Sequence, residues 1–167
     1  MVRRPGVHAV VVYRFGSWLL GAPLPLRILL GPIYFLLERR MRAKWGIHVD
    51  RRARIGGGFF IEHFGGVFVG HAAAIGENFT IYHDVTLGEI QAGRRKGQPI
   101  LGANVTIYSG AKIMGKVRIG NNAAIGNNVV VQRDVPDNAL VQLQPPMVVR
   151  FPSRYGQNAL SSEHADP

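Results

Sequence analysis

The sequence predicts a mainly β chain of stacked three-sided coils, preceded by a short helical cap. Aliphatic residues recur at a spacing of six through the second half of the chain, at Leu101, Ile107, Ile113, Ile119, Ile125 and Val131. A small or β-branched residue follows four places after each of them. One short unit cannot bury its own apolar face, so a fixed period of six indicates stacked units that share one core. Ordinary strand alternation has a period of two and does not explain this spacing.

The same spacing begins earlier in the chain. It passes through Val49, Ile55 and Ile61, and it slips by two residues near Val67 and Phe68. It breaks again after Leu87, where residues 89–99 fit no hexad. We therefore expect the coils to cover residues 46–141, with an excluded loop at residues 89–99. Residues 142–167 are expected to form a separate C-terminal tail.

Residues 1–45 differ in kind and are predicted to form the helical cap. Two apolar stretches, residues 8–20 and 25–41, are separated by a Gly-Ala-Pro segment, which indicates two helices joined at a turn. Six residues of the second stretch follow the spacing of a buried helix face: Leu26, Leu29, Leu30, Ile33, Leu36 and Leu37. We expect the cap to shield the first coil and to join subunits.

The cap also leaves a membrane alternative open. Neither stretch supplies the ~20 uninterrupted apolar residues that a membrane span needs, and neither ends in the cleavage pattern of a secretory signal. The second stretch nevertheless ends in Arg39, Arg40, Arg42, Lys44 and Trp45. A helix with such flanks can lie on an anionic membrane surface, so peripheral membrane contact is the alternative to a purely structural cap.

Composition narrows the classes of partner and chemistry. The 167 residues include no cysteine and carry a formal net charge of +10. No disulfide framework and no catalytic thiolate can therefore form, and a cytoplasmic location is expected. The positive charge suits an anionic partner such as a membrane surface or a phosphorylated cofactor. Nucleic acid is not expected, because no helix-turn-helix, zinc or aromatic-stacking motif accompanies the basic residues.

Residues 46–149 resemble the hexapeptide-repeat acyltransferases, and most closely their serine O-acetyltransferase branch. The passages that carry the resemblance are Ala-Arg-Ile-Gly-Gly-Gly-Phe-Phe-Ile-Glu-His at 53–63, Val-Thr-Leu-Gly at 85–88, Gly-Ala-Lys-Ile-Met-Gly at 110–115 and Arg-Asp-Val-Pro at 133–136. The resemblance implies a left-handed parallel β-helix and a homotrimer. It also implies that acetyl-CoA binds as co-substrate in a cleft between neighbouring subunits.

The resemblance assigns His63 as the catalytic base. Acetyl transfer to a hydroxyl group needs a base for the hydroxyl proton and donors for the developing oxyanion, and it needs no metal. A histidine titrates near neutral pH and suits the first task. The aspartate that usually orients the family's histidine is replaced here by His48. Glu62 and Asp50 are therefore the candidates for orienting His63, and the absence of any such partner stays open.

The acceptor side departs from the serine-specific pattern. His48, His83, Asp84 and Gln98 are the candidate acceptor-binding residues. Gln98 lies in a Gly-Gln-Pro segment where the resemblance places an Arg-His-Pro segment that contacts the serine carboxylate. Because paired polar groups decide such specificity, the changes favour a hydroxyl of another small molecule or of a sugar or glycan intermediate. Two alternatives stay open: a serine O-acetyltransferase of cysteine biosynthesis, and a non-catalytic scaffold.

The cofactor side is predicted from two short segments. Ser109, Gly110 and Ala111 align with a stretch of small residues where the backbone approaches the pantetheine arm of acetyl-CoA. Asn127 aligns with a second such position, one coil later. Small side chains permit this close approach.

Overall fold

The computed structural model describes residues 5–144. Helix α1 spans Pro5–Leu20 and helix α2 spans Leu24–Trp45. Fourteen short strands follow: β1 (Ile47–Val49), β2 (Arg54–Ile55), β3 (Phe60–Ile61), β4 (Val67–Val69), β5 (Ala74–Ile75), β6 (Thr80–Ile81), β7 (Thr86–Gly88), β8 (Ile100–Leu101), β9 (Thr106–Ile107), β10 (Lys112–Met114), β11 (Arg118–Ile119), β12 (Ala124–Ile125), β13 (Val130–Val131) and β14 (Leu140–Val141). Most of the predicted tail, residues 145–167, lies outside the described residues, as do the first four residues of the predicted cap.

The strands form three parallel sheets, because the chain visits the sheets in turn and then repeats the circuit. Sheet 1 has the order β1-β4-β7-β10-β13, sheet 2 the order β11-β8-β5-β2, and sheet 3 the order β14-β12-β9-β6-β3. All pairs between these strands are parallel. The result is a parallel β-helix behind a two-helix cap, as the sequence predicts.

The six-residue spacing becomes three ladders of inward side chains. In sheet 3, for example, Ile61 pairs with Ile81, which pairs with Ile107, which pairs with Ile125. Three of these four residues are fully buried, and Ile61 is 4% exposed. Each aliphatic residue therefore stacks on its counterpart one coil away and fills one side of a continuous core.

The two-residue slip arises in a turn and not in a strand. Val67 and Val69 both point inward from β4, with Phe68 exposed between them. The additional residues lie in the turn 62–66, between β3 and β4, which ends in two glycines of positive φ. This longer turn contains Glu62 and His63.

Asparagines line the corner between sheets 2 and 3. Asn78, Asn104, Asn122 and Asn138 all have φ between 55° and 57°, in the left-handed region. Their side chains form a chain of amide hydrogen bonds of 2.9–3.0 Å from coil to coil. Asparagine tolerates this backbone conformation better than other residues with a Cβ atom, which explains its recurrence at this corner.

Residues 89–99 leave the coil between β7 and β8. Within this segment Ile90 and Gly97 form an antiparallel bridge. Arg95 donates from Nη1 to the carboxylate of Asp134 at 2.8 Å and to the carbonyl of Lys116 at 3.4 Å. The loop is thus held against the corner between sheets 1 and 2 of the following coils.

Helix α1 is fastened to the first coil by polar and steric contacts. The buried Tyr13 hydroxyl donates to the carbonyl of Ala53 at 2.7 Å and accepts from the backbone N–H of Ile55 at 3.2 Å. The side chain of Arg14 donates to the carbonyl of Ile55 at 2.6 Å. A Cβ atom at Gly6 would lie 2.2 Å from the carbonyl oxygen of Ile61, so only glycine allows this approach. The cap thereby covers the first coil.

The predicted buried face of α2 is wrong. Leu29, Ile33 and Leu36 are 68%, 49% and 69% exposed, and Leu26 is also exposed. Leu30 and Leu37 are only partly buried, and the residues that pack fully against the core are Tyr34 and Met41. Leucine spacing alone could not reveal this, because the first half of α2 is apolar on nearly every side, with Arg27 as its one charged residue. No helix within residues 5–144 is long and apolar enough to cross a membrane.

Candidate active site

The longer turn between sheets 3 and 1 presents His63 to solvent. Its side chain is 63% exposed. Its φ is 65°, whereas every other non-glycine residue of positive φ within residues 5–144 is Asn or Asp. A histidine held in the left-handed region costs free energy of the order of 1 kcal/mol or more, and such strain concentrates at functional positions.

His63 lies at the edge of a cleft of about 400 Å³ between the cap and the first coil. The cleft is lined by Pro5, Gly6, Val7, Phe60, Ile61, Glu62, His63 and Phe64. The nearest Glu62 oxygen, Oε1, is 3.9 Å from His63 Nε2, which is too long for a hydrogen bond. Glu62 therefore places a negative charge beside the imidazole without fixing its orientation.

The next coil brings a second histidine to the same corner. The ring centroids of His63 and His83 are 5.9 Å apart, and His63 is 6.0 Å from the ring of Tyr82. His83 Nδ1 lies 3.2 Å from the hydroxyl oxygen of Ser109, one coil further. The predicted catalytic residue, one predicted acceptor-binding residue and one predicted cofactor-binding residue thus line a single corner of the β-helix.

Tyr108 also belongs to this corner, although the sequence predictions did not include it. Its ring stacks on that of Tyr82 with centroids 5.1 Å apart, and Tyr108 is 37% exposed. The excluded loop separates the two tyrosines in sequence, so the relation follows only from the register in which Ile81 pairs with Ile107. The sequence did contain a signal for this contact: each tyrosine directly follows a core isoleucine, so pairing of the two isoleucines places the two tyrosines side by side.

Asp84 is held by a lysine at this corner. Lys112 Nζ is 2.8 Å from Asp84 Oδ1 and also donates to the Asp84 carbonyl. Asp84 has a φ of 55°, like the asparagines of the neighbouring corner. Its carboxylate is therefore already paired, which leaves it less free to bind an acceptor than the sequence suggests.

His48 and Asp50 lie in a different environment, between α2 and the first coil. His48 Nδ1 is 2.7 Å from Glu38 Oε1 and 3.3 Å from Arg42 Nη2. Asp50 makes hydrogen bonds of 2.9 Å to both the side chain and the backbone N–H of Arg52. Neither side chain hydrogen bonds to His63. Within residues 5–144, no carboxylate therefore takes the orienting role by hydrogen bonding to His63.

The hydrogen bonds of this cluster lower the pKa of both carboxyl groups. Partial burial opposes the ionisation of Glu38, but hydrogen bonds from Arg42 and His48 outweigh it and hold its pKa below the ordinary value. Burial likewise opposes ionisation of Asp50, and the hydrogen bonds from Arg52 bring the pKa of Asp50 below its ordinary value. Both groups are charged at neutral pH. Glu38 joins the cap to the first coil through His48, whereas Asp50 pairs with Arg52 within the coil.

Gln98 lies at the corner between sheets 1 and 2, not at the corner of His63. It is 6% exposed, its Oε1 accepts from the backbone N–H of Ala72 at 3.1 Å, and its Nε2 is 3.0 Å from His71 Nδ1. A Cβ atom at Gly70 would lie 2.4 Å from Gln98 Oε1, so the amide is packed tightly in its place. Within one chain, Gln98 fastens the excluded loop.

The four predicted cofactor-binding residues differ in what they can offer a ligand. Ser109, Gly110 and Asn127 lie on the open corner between sheets 3 and 1, and Asn127 is exposed. Ala111 is fully buried, and its N–H and C=O hydrogen bond to Tyr108 and Thr86. Ala111 therefore has no free polar group to offer a ligand, and it contributes to this corner only because its side chain is small.

Comparisons with known proteins agree with the fold. Residues 98–133 match the family described as bacterial transferase hexapeptide (six repeats). A serine acetyltransferase of Helicobacter pylori is 38% identical over 135 residues, which cover 79% of this chain and 74% of that protein. The chain belongs to the serine acetyltransferase family.

Two further members of the serine acetyltransferase family set the extent of the match. The Synechococcus elongatus enzyme is 38% identical over 145 residues, covering 87% of this chain and 57% of that protein. The crystal structure of the Brucella abortus serine acetyltransferase in complex with coenzyme A superposes with a TM-score of 0.71 at 30% identity, covering 84% of this chain and 54% of that one. The chain thus spans little more than half the length of these two relatives.

Proposed function

We propose that this protein transfers an acetyl group from acetyl-CoA to a hydroxyl group, with His63 as the general base. The observation that carries the proposal is the exposed, left-handed His63 at the open end of a corner lined by His83 and Ser109, in a chain of the serine acetyltransferase family. His63 accepts the hydroxyl proton while the hydroxyl oxygen attacks the thioester carbonyl. The new C–O bond replaces the C–S bond, and the departing CoA sulfur takes the proton from the imidazolium.

The corner between sheets 3 and 1 is the proposed path of the pantetheine arm. From His83 the path continues through Ser109 and Gly110 to Asn127, which follow one another coil by coil. Gly110 has a φ of 77°, and a Cβ atom there would lie 1.9 Å from Asn128 Oδ1. This absence of side-chain bulk lets an extended thioester arm lie close to the backbone, so the residues present fit the cofactor. The crystal structure of the Brucella abortus relative in complex with coenzyme A supports a coenzyme A thioester as the ligand.

The relatives favour L-serine as the acceptor, which the sequence predictions held as the alternative. Each curated relative cited above is named a serine acetyltransferase. His48 and Gln98 differ from the residues of the serine-specific pattern, but these differences are weaker evidence against serine than the sequence alone suggests. His48 holds the cap and Gln98 holds the excluded loop, so neither side chain lines an acceptor pocket within a single chain.

A sugar or glycan hydroxyl is the second candidate, because of the stacked tyrosines. The Tyr82 ring lies 6.0 Å from the ring of His63, and the partly exposed Tyr108 ring stacks on Tyr82 one coil further. Such rings combine an apolar body with a polar hydroxyl and suit a ligand of the same mixed character, such as a pyranose ring. L-serine is too small to contact both rings, whereas a pyranose ring is large enough to do so.

We also propose a homotrimer, which the family resemblance implies. Gln98 and His63 lie at different corners of the three-sided coil. A cleft between neighbouring subunits would let the Gln98 corner of one subunit approach the His63 corner of the next. The chain would then complete its acceptor site only in the assembly. Sedimentation equilibrium of the purified protein tests this directly.

The activity is tested by thiol release from acetyl-CoA with L-serine, L-homoserine, hexoses and nucleotide sugars. We expect turnover with L-serine that falls at least a hundredfold in His63→Ala, since general-base catalysis contributes roughly 10²–10⁴. Tyr108→Ala separates the acceptors: it should spare turnover with L-serine and raise KM for a sugar. Turnover with a sugar alone would select the second candidate. If acetyl-CoA neither binds in calorimetry nor releases thiol with any acceptor, the protein is a scaffold.

A further inference from the structure

The hairpin of α1 and α2 ends in an apolar surface that residues 5–144 leave uncovered. Between Phe15 and Leu37 the sequence contains a single charged residue, Arg27. Large side chains on this surface are half or more exposed: Trp18 at 55%, Leu24 at 65%, Ile28 at 68%, Leu29 at 68% and Leu36 at 69%. A helix segment with so few charged residues is normally buried in a core or in lipid. We call residues 18–36 the hairpin end.

A basic segment follows the hairpin end directly. Arg39, Arg40 and Lys44 lie in the last turns of α2, and within residues 5–144 none of them forms an ion pair. Arg42 differs, since it pairs with Glu38. Polarity therefore changes mainly along the helix axis. Apart from Arg27, the first half of α2 is apolar, and the second half is basic.

Two arginines also flank a shallow cavity in the hairpin end. The cavity has a volume of about 240 Å³ and is lined by Leu19, Leu24, Arg27, Ile28, Gly31, Phe35 and Arg51. No carboxylate is among these lining residues. Arg51 packs its guanidinium over the rings of Tyr34 and Phe35 at 4.9 and 5.4 Å, which places the charge beside the apolar surface.

The dimensions match one leaflet of a bilayer. The apolar half of α2, residues 24–36, rises about 20 Å at 1.5 Å per residue. The hydrocarbon of one leaflet is about 15 Å thick, half of the ~30 Å of the whole core. A tilted hairpin end can therefore bury its apolar side chains in one leaflet and leave the basic segment level with the phosphate groups, while the long side chain of Arg27 extends toward those groups.

We propose that the hairpin end docks this protein on an anionic lipid bilayer, with Arg39, Arg40 and Lys44 facing the lipid phosphates. Charge complementarity selects this occupant over a second copy of the chain. Two hairpins packed against each other would bring two sets of unpaired basic residues together, which is unfavourable. An anionic surface instead attracts each of these cations. The docking would hold the acetyl-transfer site near a membrane surface, and it does not depend on that activity.

The test is co-sedimentation of the full-length protein with vesicles of phosphatidylcholine alone and of phosphatidylcholine mixed equally with phosphatidylglycerol. We expect binding to the anionic vesicles only, weakened by added salt. Arg39→Gln with Arg40→Gln should lower the partition coefficient about 25-fold, at roughly fivefold per charge near the surface. Leu29→Asp should lower it more than tenfold, because a buried leucine side chain is lost.

Matched controls lie at the far end of the β-helix. Arg118→Gln with Arg133→Gln removes the same charge, and Leu143→Asp replaces a leucine that is 58% exposed. Neither should change vesicle binding, and circular dichroism should show every variant folded. If the controls reduce binding as much as the cap variants, the attraction is a net-charge effect and the proposal is overturned.

A second measurement locates the inserted residue. Trp18 is one of two tryptophans, so a Trp45→Phe background reports on Trp18 alone. Its emission should shift to the blue with anionic vesicles and be quenched by lipids with brominated acyl chains. Absence of quenching overturns insertion. If the protein ignores vesicles, and Leu29→Asp instead splits a lipid-free assembly into smaller units, a second copy covers the hairpin end and the proposal is overturned.

Discussion

Glu38 on α2 and His48 on β1 are joined by a hydrogen bond of 2.7 Å between Glu38 Oε1 and His48 Nδ1. Both side chains are largely buried, at 13% and 22% exposure. His48 stands where the family resemblance places the carboxylate that orients the catalytic histidine. In this chain that position faces the cap, so it binds the helical cap to the first coil and leaves His63 without that partner.

The Glu38 contact predicts a specific dependence of stability on pH. The folded-state pKa of Glu38 lies below its ordinary value of 4.5. Its stabilising contribution is therefore complete above pH 4.5 and is lost as the pH falls through the lower folded-state value. Glu38→Gln should unfold at a lower temperature than wild type at pH 7, and the two should converge in acid.

Thermal unfolding of both proteins from pH 7 to pH 3 checks this. Arg52→Gln serves as a comparison, because it removes the partner of Asp50 without touching Glu38. A difference between wild type and Glu38→Gln that persists unchanged at pH 3 would show that packing of the side chain, and not its charge, accounts for the effect.

His63→Asn should separate stability from activity. Asparagine adopts the left-handed region more easily than histidine, so we expect the free energy of unfolding to stay equal or to rise by up to about 1 kcal/mol. Acetyl transfer should fall by at least a hundredfold. Urea unfolding and thiol release measured on the same preparation check both parts.

The neighbouring histidine provides the contrast for that experiment. His83→Asn should keep measurable turnover, because His83 lies beside the proposed base and bonds to Ser109. If His63→Asn retained full turnover and His83→Asn lost it, the base would be His83 and our assignment would be wrong.

The row of hydrogen-bonded asparagines at the corner between sheets 2 and 3 predicts that glycine destabilises the protein less than alanine does, which is the reverse of their order in a helix. Asn104 bonds to Asn78 and Asn122 and has a φ of 57°. Asn104→Ala loses the hydrogen bonds and is strained, so we expect a cost of about 2–3 kcal/mol. Asn104→Gly should be less destabilised by about 1 kcal/mol. At Ala43, in α2, glycine should instead be the worse residue by about 1 kcal/mol. Chemical unfolding of the four proteins decides, and an Asn104→Ala protein as stable as Asn104→Gly would refute the role of the backbone conformation.

Two helix glycines offer a matched test of the cap packing. A Cβ atom at Gly16 would lie 2.2 Å from the ring of Tyr34, whereas one at Gly31 meets nothing within 4 Å. Gly16→Ala should therefore destabilise the protein by about 1–3 kcal/mol through overpacking. Gly31→Ala should stabilise it by about 0.5–1 kcal/mol, because alanine favours the helix. Equal effects at the two positions would mean that α1 and α2 do not pack as described.

The repeating core could be predicted from the sequence because a six-residue period has few structural solutions. Each core position, such as Ile107 or Ile113, repeats the environment of its counterpart in the next coil, so local spacing fixes the global form. His63 could be singled out for a different reason, because it ends the short and specific motif at residues 53–63 that resembles the serine O-acetyltransferases. The excluded loop could also be predicted, because residues 89–99 interrupt the six-residue period.

Contacts between distant segments could not be predicted in this way. Whether the leucines of α2 face the core depends on how the cap lies on the first coil. Tyr13 and Gly6 decide this through contacts with Ala53 and Ile61, which lie 40 and 55 residues further along the chain. The stacking of Tyr82 on Tyr108 depends on how the loop shifts the register. The period therefore determined the coil and its core, because it repeats one local environment. Only the tertiary structure decided which side chains meet at His63, because that depends on the register between coils on either side of the excluded loop. It also decided which apolar surface of the cap is left exposed, because that depends on the junction between cap and coil.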